Sequence, residues 1–128
     1  MTYTSQHLQS LVEPHRVHRD IYTDPEIFKI EMDRLWRHAW IYVGHESQVA
    51  EIGNYIATTI GYEPVVMTLD KNNVIQVLHN RCGHKGTKVV TQRAGSAKMF
   101  RCPYHGWTYQ LDGKLHATPH ACGYENTN

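Results

Sequence analysis

Two short pairs of metal-binding side chains, well separated in sequence, limit what this chain can fold into. The first is Cys82-Gly83-His84 and the second is Cys102-Pro103-Tyr104-His105. Together they read C-x-H-x17-C-x-x-H. Each pair offers one thiolate and one imidazole, so a fold that uses them must bring two separate loops to one place. Thiolate is soft and supports iron–sulfur chemistry, while neutral imidazole also suits iron. A [2Fe-2S] cluster with two thiolates on one iron and two imidazoles on the other needs this donor set. Zinc is the rival. Zinc fingers group like ligands, C-x2-4-C and later H-x3-5-H. Here each pair is mixed and the spacing differs.

The surrounding residues predict loops between short strands. Pro103 fixes φ in the second loop and has no N–H to orient. Gly86 and Gly106, close behind the histidines, suit tight turns that bring backbone N–H groups toward cluster sulfurs. β-like runs occupy residues 40–43, 55–60, 65–69, 74–79, 98–101, 107–111 and 114–117. Asp70-Lys71-Asn72-Asn73 and Asp112-Gly113 read as hairpin turns. Ahead of the strands, Asp24-Pro25-Glu26 supplies a capping acceptor, a first-turn proline and an acid at the positive helix end. Phe28, Met32, Leu35 and Trp36 then recur at i, i+4, i+7 and i+8, which predicts a helix over 25–37 with that stripe as its packing face. Asp33 and Arg37 are spaced to pair on it.

Size and charge narrow the function classes. A chain of 128 residues is one domain's worth, and its formal charge of +1 gives no bulk attraction for nucleic acid. No apolar run is long enough to span a membrane. Residues 1–20 lack a basic start followed by an apolar stretch, so no signal peptide is read. Of three cysteines, Cys122 is left over, which argues against a disulfide scaffold and for a reducing cytoplasm. Residues 71–111 hold seven basic side chains and no acidic one. Such charge favours a reduced cluster and could steer an acidic electron donor, although most of these side chains read as ordinary solvated positions.

The motif C-x-H-x17-C-x-x-H, with its second half in CPYHGW, resembles the Rieske family. The resemblance implies that Cys82 and Cys102 hold one iron and His84 and His105 the other. It implies a mainly β fold, a Rieske-type antiparallel β-sandwich with cluster-binding loops, preceded by an N-terminal helix. High-potential members carry a further cysteine in each loop; Thr87 and Tyr104 stand there, so no loop disulfide forms. A hydroxyl-rich CHGS ending is missing as well, because Trp107 follows Gly106. Fewer hydrogen bonds to sulfur predict a potential near the low end of the range, about −150 mV.

Residues 21–49 are similar to the lead-in of the α subunit of aromatic-ring-hydroxylating dioxygenases and related monooxygenases, and the similarity runs on to about His120. Gly83 departs from the larger residue many members carry, which predicts a looser first loop or altered cluster surroundings without loss of a ligand. The expected organisation is a helical lead-in over 1–38 and a Rieske domain over 39–128 that lacks its closing strands, leaving an open sheet edge. The family's C-terminal catalytic domain, with its mononuclear non-haem iron, is expected to be absent. His15 and His18, and Asp112, His116 and His120, lack the family's triad spacing and read as surface and loop residues.

The expected function is therefore electron transfer, with no catalytic residue assigned and no oxygenation by this chain alone. The resemblance implies a reductase or ferredoxin as donor and neighbouring α subunits of a trimer as acceptor. There His105 would approach an acidic residue that bridges to the neighbouring iron. A stand-alone Rieske ferredoxin is the alternative. Tyr104 and Trp107 are expected to pack on the loops rather than relay electrons.

Overall fold

The structure, a computed structural model, describes residues 3–119 and 121–124. It divides into two compact units, residues 1–41 and 42–128. No helix among the described residues is long and apolar enough to cross a membrane.

The first unit runs α1 (Ser5–Ser10), β1 (Val12–Glu13), β2 (Arg16–Val17), α2 (Asp20–Thr23) and α3 (Pro25–Arg34). The strands β1 and β2 form a small antiparallel hairpin. Asp24 caps α3 as predicted, accepting the N–H groups of Glu26 at 2.8 Å and Ile27 at 3.2 Å. The Tyr3 hydroxyl also donates to this carboxylate, at 2.7 Å. That bond holds Asp24 below the usual carboxyl range and pushes Tyr3 up to about 12. The helix ends at Arg34 rather than Arg37. Leu35 and Trp36 both donate to the Glu31 carbonyl, so the ladder stops advancing there. The packing face also differs from the predicted stripe. Ile27 is the buried residue, while Phe28 and Leu35 stay exposed. Ile27, Ile30 and Arg34 instead line a groove with Leu8, Val12 and Ile21. The helix PEIFKIEMDR carries apolar residues at 27, 28, 30 and 32 among five charged ones, so Ile27 with Ile30 and Phe28 with Met32 mark two adjacent candidate faces.

In the second unit a 3₁₀ turn over Glu46–Val49 precedes seven strands. They are β3 (Asn54–Ile60), β4 (Glu63–Leu69), β5 (Ile75–His79), β6 (Ala94–Ser96), β7 (Phe100–Arg101), β8 (Thr108–Tyr109) and β9 (Leu115–Ala117). They pair antiparallel in two sheets, ordered β5-β4-β3-β6 and β7-β8-β9. The predicted strand at 40–43 does not form, and Trp40 is fully exposed. β6 was not predicted, because Ala94-Gly95-Ser96 carries no β-forming side chain. Its glycine makes room for a neighbour: a Cβ on Gly95 would sit 2.7 Å from the Tyr55 hydroxyl.

The core lies between the sheets. Tyr55 and Val66 from the first sheet meet Phe100 from the second, together with Val90 and Leu111. The Tyr55 and Phe100 rings meet edge to face, 5.6 Å apart and at 81°. β4 is buried on both faces, since Met67 and Leu69 turn the other way to pack on Val49. This central strand carries β5 on one side, and β5 leads straight into the first ligand loop.

The β4–β5 turn is closed by a carboxylate. Asp70 accepts the N–H groups of Asn72 at 2.8 Å and Val74 at 3.0 Å, and the Gln76 side-chain amide at 3.0 Å. These bonds, Gln76 first, hold its carboxyl below the ordinary range.

Candidate metal centre

The two ligand loops close with the same backbone bonds. In the first, Gly86 N–H donates to the Cys82 carbonyl at 2.9 Å, and Cys82 N–H donates to the Thr87 carbonyl at 2.8 Å. In the second, Gly106 donates to Cys102 at 3.0 Å, and Cys102 donates to Trp107 at 2.7 Å. Both glycines need the left-handed region, at φ 70° and 74°. The loops therefore repeat one turn, each starting on a cysteine and closing on a glycine.

Their supports differ. The second loop joins β7 to β8, whose pairing of Phe100 with Tyr109 and Arg101 with Thr108 fixes both its ends. The Thr108 hydroxyl adds a bond to the Gly106 carbonyl at 3.1 Å. The first loop has no such strand pair. The buried Asn80 takes its place, accepting the N–H groups of Val89 at 3.1 Å and Val90 at 2.8 Å. Its amide also donates to the Val90 carbonyl at 2.7 Å. One side chain thus ties the loop's entry to its exit. Sequence reading missed Asn80, since an asparagine after a strand reads as turn chemistry.

All four candidate ligands come together. Cys82 and Cys102 are buried and free of disulfides, and Cys102 lies near enough to lower the Cys82 thiol. The His84 and His105 rings lie 4.7 Å apart at 68°. Trp107 stacks on His84, 5.0 Å away and within 8° of parallel. Tyr104 leans on His105 at 3.7 Å. Tyr104 stays well exposed while its ring lies against His105 of its own loop.

Buried His84 Nδ1 has no hydrogen-bond partner. An orphaned buried nitrogen is costly unless something coordinates it. Burial, then the charges of His105 and Lys85, hold this imidazole below its usual range, which keeps it neutral as a ligand must be. At Cys82, burial raises the thiol. The Tyr109 hydroxyl, the His84 N–H, Cys102 and the Lys85 N–H outweigh it, and the net shift is downward. Such a thiol gives up its proton readily to a metal. The donor chemistry of the site fits a [2Fe-2S] group.

Tyr109 supplies a hydrogen bond at sulfur that the sequence reading did not name. Its hydroxyl lies 3.1 Å from Cys82 Sγ and accepts the Gly83 N–H at 3.0 Å. Burial and the Cys82 sulfur push it up to about 12, so it stays protonated and able to donate. Alternation from Trp107 through Tyr109 could have revealed it, because both side chains then share a face. The Gly83 N–H is held by the same Tyr109 hydroxyl.

The other candidate ligands do not assemble. His15 and His18 are exposed beside the β1–β2 hairpin, His116 is exposed on β9, and His120 lies outside the described residues. Among the described residues, no three of His, Cys, Asp and Glu surround a point that one ion could fill. That includes Cys82, His84, Cys102 and His105, whose donors suit two irons, each taking two.

Two antiparallel sheets presenting paired cysteine–histidine loops define an iron–sulfur β-domain. A family profile described as "Rieske [2Fe-2S] domain" matches residues 39–126, and the chain belongs to that family. It is 39% identical over 119 residues to the biphenyl dioxygenase α subunit of Metapseudomonas furukawaii, covering 91% of this chain and 26% of that protein. It is 35% identical to the glycine betaine monooxygenase oxygenase subunit of Chromohalobacter salexigens, over 88% of this chain and 25% of that one. Naphthalene 1,2-dioxygenase from Rhodococcus sp. superposes with a TM-score of 0.87 at 32% identity, over 98% of this chain and 30% of that one. The chain thus spans about a quarter of the length of the curated relatives it matches.

Proposed function

We propose that Cys82 and Cys102 bind one iron of a [2Fe-2S] cluster and His84 and His105 the other, and that the domain carries single electrons. The observation that carries this is the convergence of two buried free thiols with two imidazoles, one bearing an orphaned nitrogen. When bound, the cluster supplies one-electron storage. The chain's own residues do the rest. Cys82 and Cys102 are kept from water, and Trp107 holds the His84 ring flat against it. Exposed His105, with Tyr104 against it, presents the outer edge of the site.

We further propose that this domain serves a ring-hydroxylating oxygenase α subunit acting on aromatic compounds, with a lead-in over 1–38 and the cluster domain over 39–128. Similarity to both a biphenyl dioxygenase and a glycine betaine monooxygenase supports the oxygenase context and leaves the substrate open. In this reading a cytoplasmic reductase or ferredoxin supplies electrons and a neighbouring α subunit receives them. Oxygenation is done by residues outside these 128.

The test is low-temperature EPR of the dithionite-reduced chain, with iron, sulfide and zinc counted on the same sample. A rhombic signal of low average g with two irons per chain is the expected result. A zinc-loaded, EPR-silent protein would sink the proposal.

A further inference from the structure

Arg81 and Arg101 occupy matching places in the two ligand loops, each immediately before its cysteine. Each folds across its own loop onto the glycine that closes it. A Cβ on Gly86 would lie 3.2 Å from Arg81 Nε and 3.4 Å from its Nη2. A Cβ on Gly106 would lie 3.3 Å from Arg101 Nη2 and 3.5 Å from its Nε. The two guanidinium groups thus sit on the two turns in the same way. They occupy the space that a side chain at either glycine would need. Among the described residues, neither arginine joins an ion pair. The positive charge beside each loop is therefore not cancelled by a local carboxylate.

We propose that Arg81 and Arg101 are a matched pair of positioning residues that hold fixed positive charge beside the cluster and favour its reduced state. The inference rests on the cluster assignment above. With two ferric ions, two sulfides, two thiolates and neutral imidazoles the cluster sums to zero, and one electron from a donor such as dithionite makes it −1. A fixed positive charge stabilises the second state more than the first. Guanidinium does not lose its proton, so the bias persists across the working pH range. Both side chains are exposed, so solvent weakens the effect and salt screens it.

The experiment is a redox titration of the cluster-loaded chain, followed by EPR and visible circular dichroism. The variants are Arg81→Gln, Arg101→Gln, the double variant and the two Arg→Lys counterparts. Each Gln variant is expected to lower the reduced-to-oxidised ratio at a fixed potential about threefold, or roughly 30 mV for one electron. The double variant should approach ninefold, about 56 mV. The Lys variants should keep most of the wild-type value. Gln variants with full iron content and an unmoved midpoint would overturn the proposal. So would Lys variants shifted as far as Gln, because shape rather than charge would then matter. Where a Gln variant loses its cluster, the wild-type midpoint decides. A fall between about 0.05 and 0.5 M salt supports the charge role, and no change removes it. The wild-type rhombic signal tests the cluster assignment separately.

Discussion

The two ligand loops share a turn but not a foundation. Both bracket a cysteine with the same pair of backbone bonds and close on a left-handed glycine. The second is an ordinary hairpin connection, fixed by strand pairing on both sides. The first leaves one sheet edge and returns much later, and a single buried asparagine joins its ends. The lesson is that equivalent ligand geometry can be reached by repetitive backbone pairing or by one well-placed side chain. The second route concentrates risk in that residue.

The largest expected effect treats the loops alike. Cys82→Ala and Cys102→Ala should each abolish cluster binding, read as loss of iron and of the rhombic signal. A variant that kept its cluster would show that the two loops are not equal partners. Next, Asn80→Ala should cost about 3 kcal/mol, because two N–H groups and a carbonyl lose their partner in the interior. Thr108→Ala in the other loop should cost no more than about 1 kcal/mol. Thermal unfolding of the two variants side by side checks the contrast, and equal losses would break it.

Tyr109→Phe sharpens the comparison at the sulfurs. It removes a hydroxyl from Cys82 and leaves Cys102 untouched. Losing a bond of about 1 kcal/mol should lower the midpoint by roughly 40 mV, with iron content unchanged. The smallest effect lies away from both loops, at Asp70. Its carboxyl is held low in the folded state, so its stabilisation is present above the ordinary carboxyl range and is lost as pH falls through the lowered value. Melting curves between pH 7 and about pH 3 should show a smaller acid loss in Asp70→Asn than in wild type. A cluster signal that decays in step with this turn would tie the loops to it.

The sequence displayed the candidate ligands plainly because coordination chemistry demands specific residue types at short spacing. Cys82, His84, Cys102 and His105 meet as that spacing implied. The hairpins around Asp70 and Gly113 were legible for the same local reason. What stayed hidden depends on distant partners. Asn80 is informative only when Val89 and Val90 are known to lie beside it. β6 is recognisable only when Gly95 is known to lie opposite Tyr55, whose ring takes the room a Cβ would need. The face of α3 could not be chosen from periodicity, because Ile27 and Phe28 head two adjacent stripes; the structure buries Ile27 and leaves Phe28 exposed.

Gly83 shows what the first loop leaves undecided. It sits between a proposed thiolate and a proposed imidazole ligand, yet a Cβ there would meet only the Tyr109 hydroxyl, at an ordinary 3.6 Å. The bond that fixes it uses its backbone and asks nothing of a side chain. This position is therefore vacant ground beside the site, where a probe or a new recognition group can be grafted without rebuilding the loop.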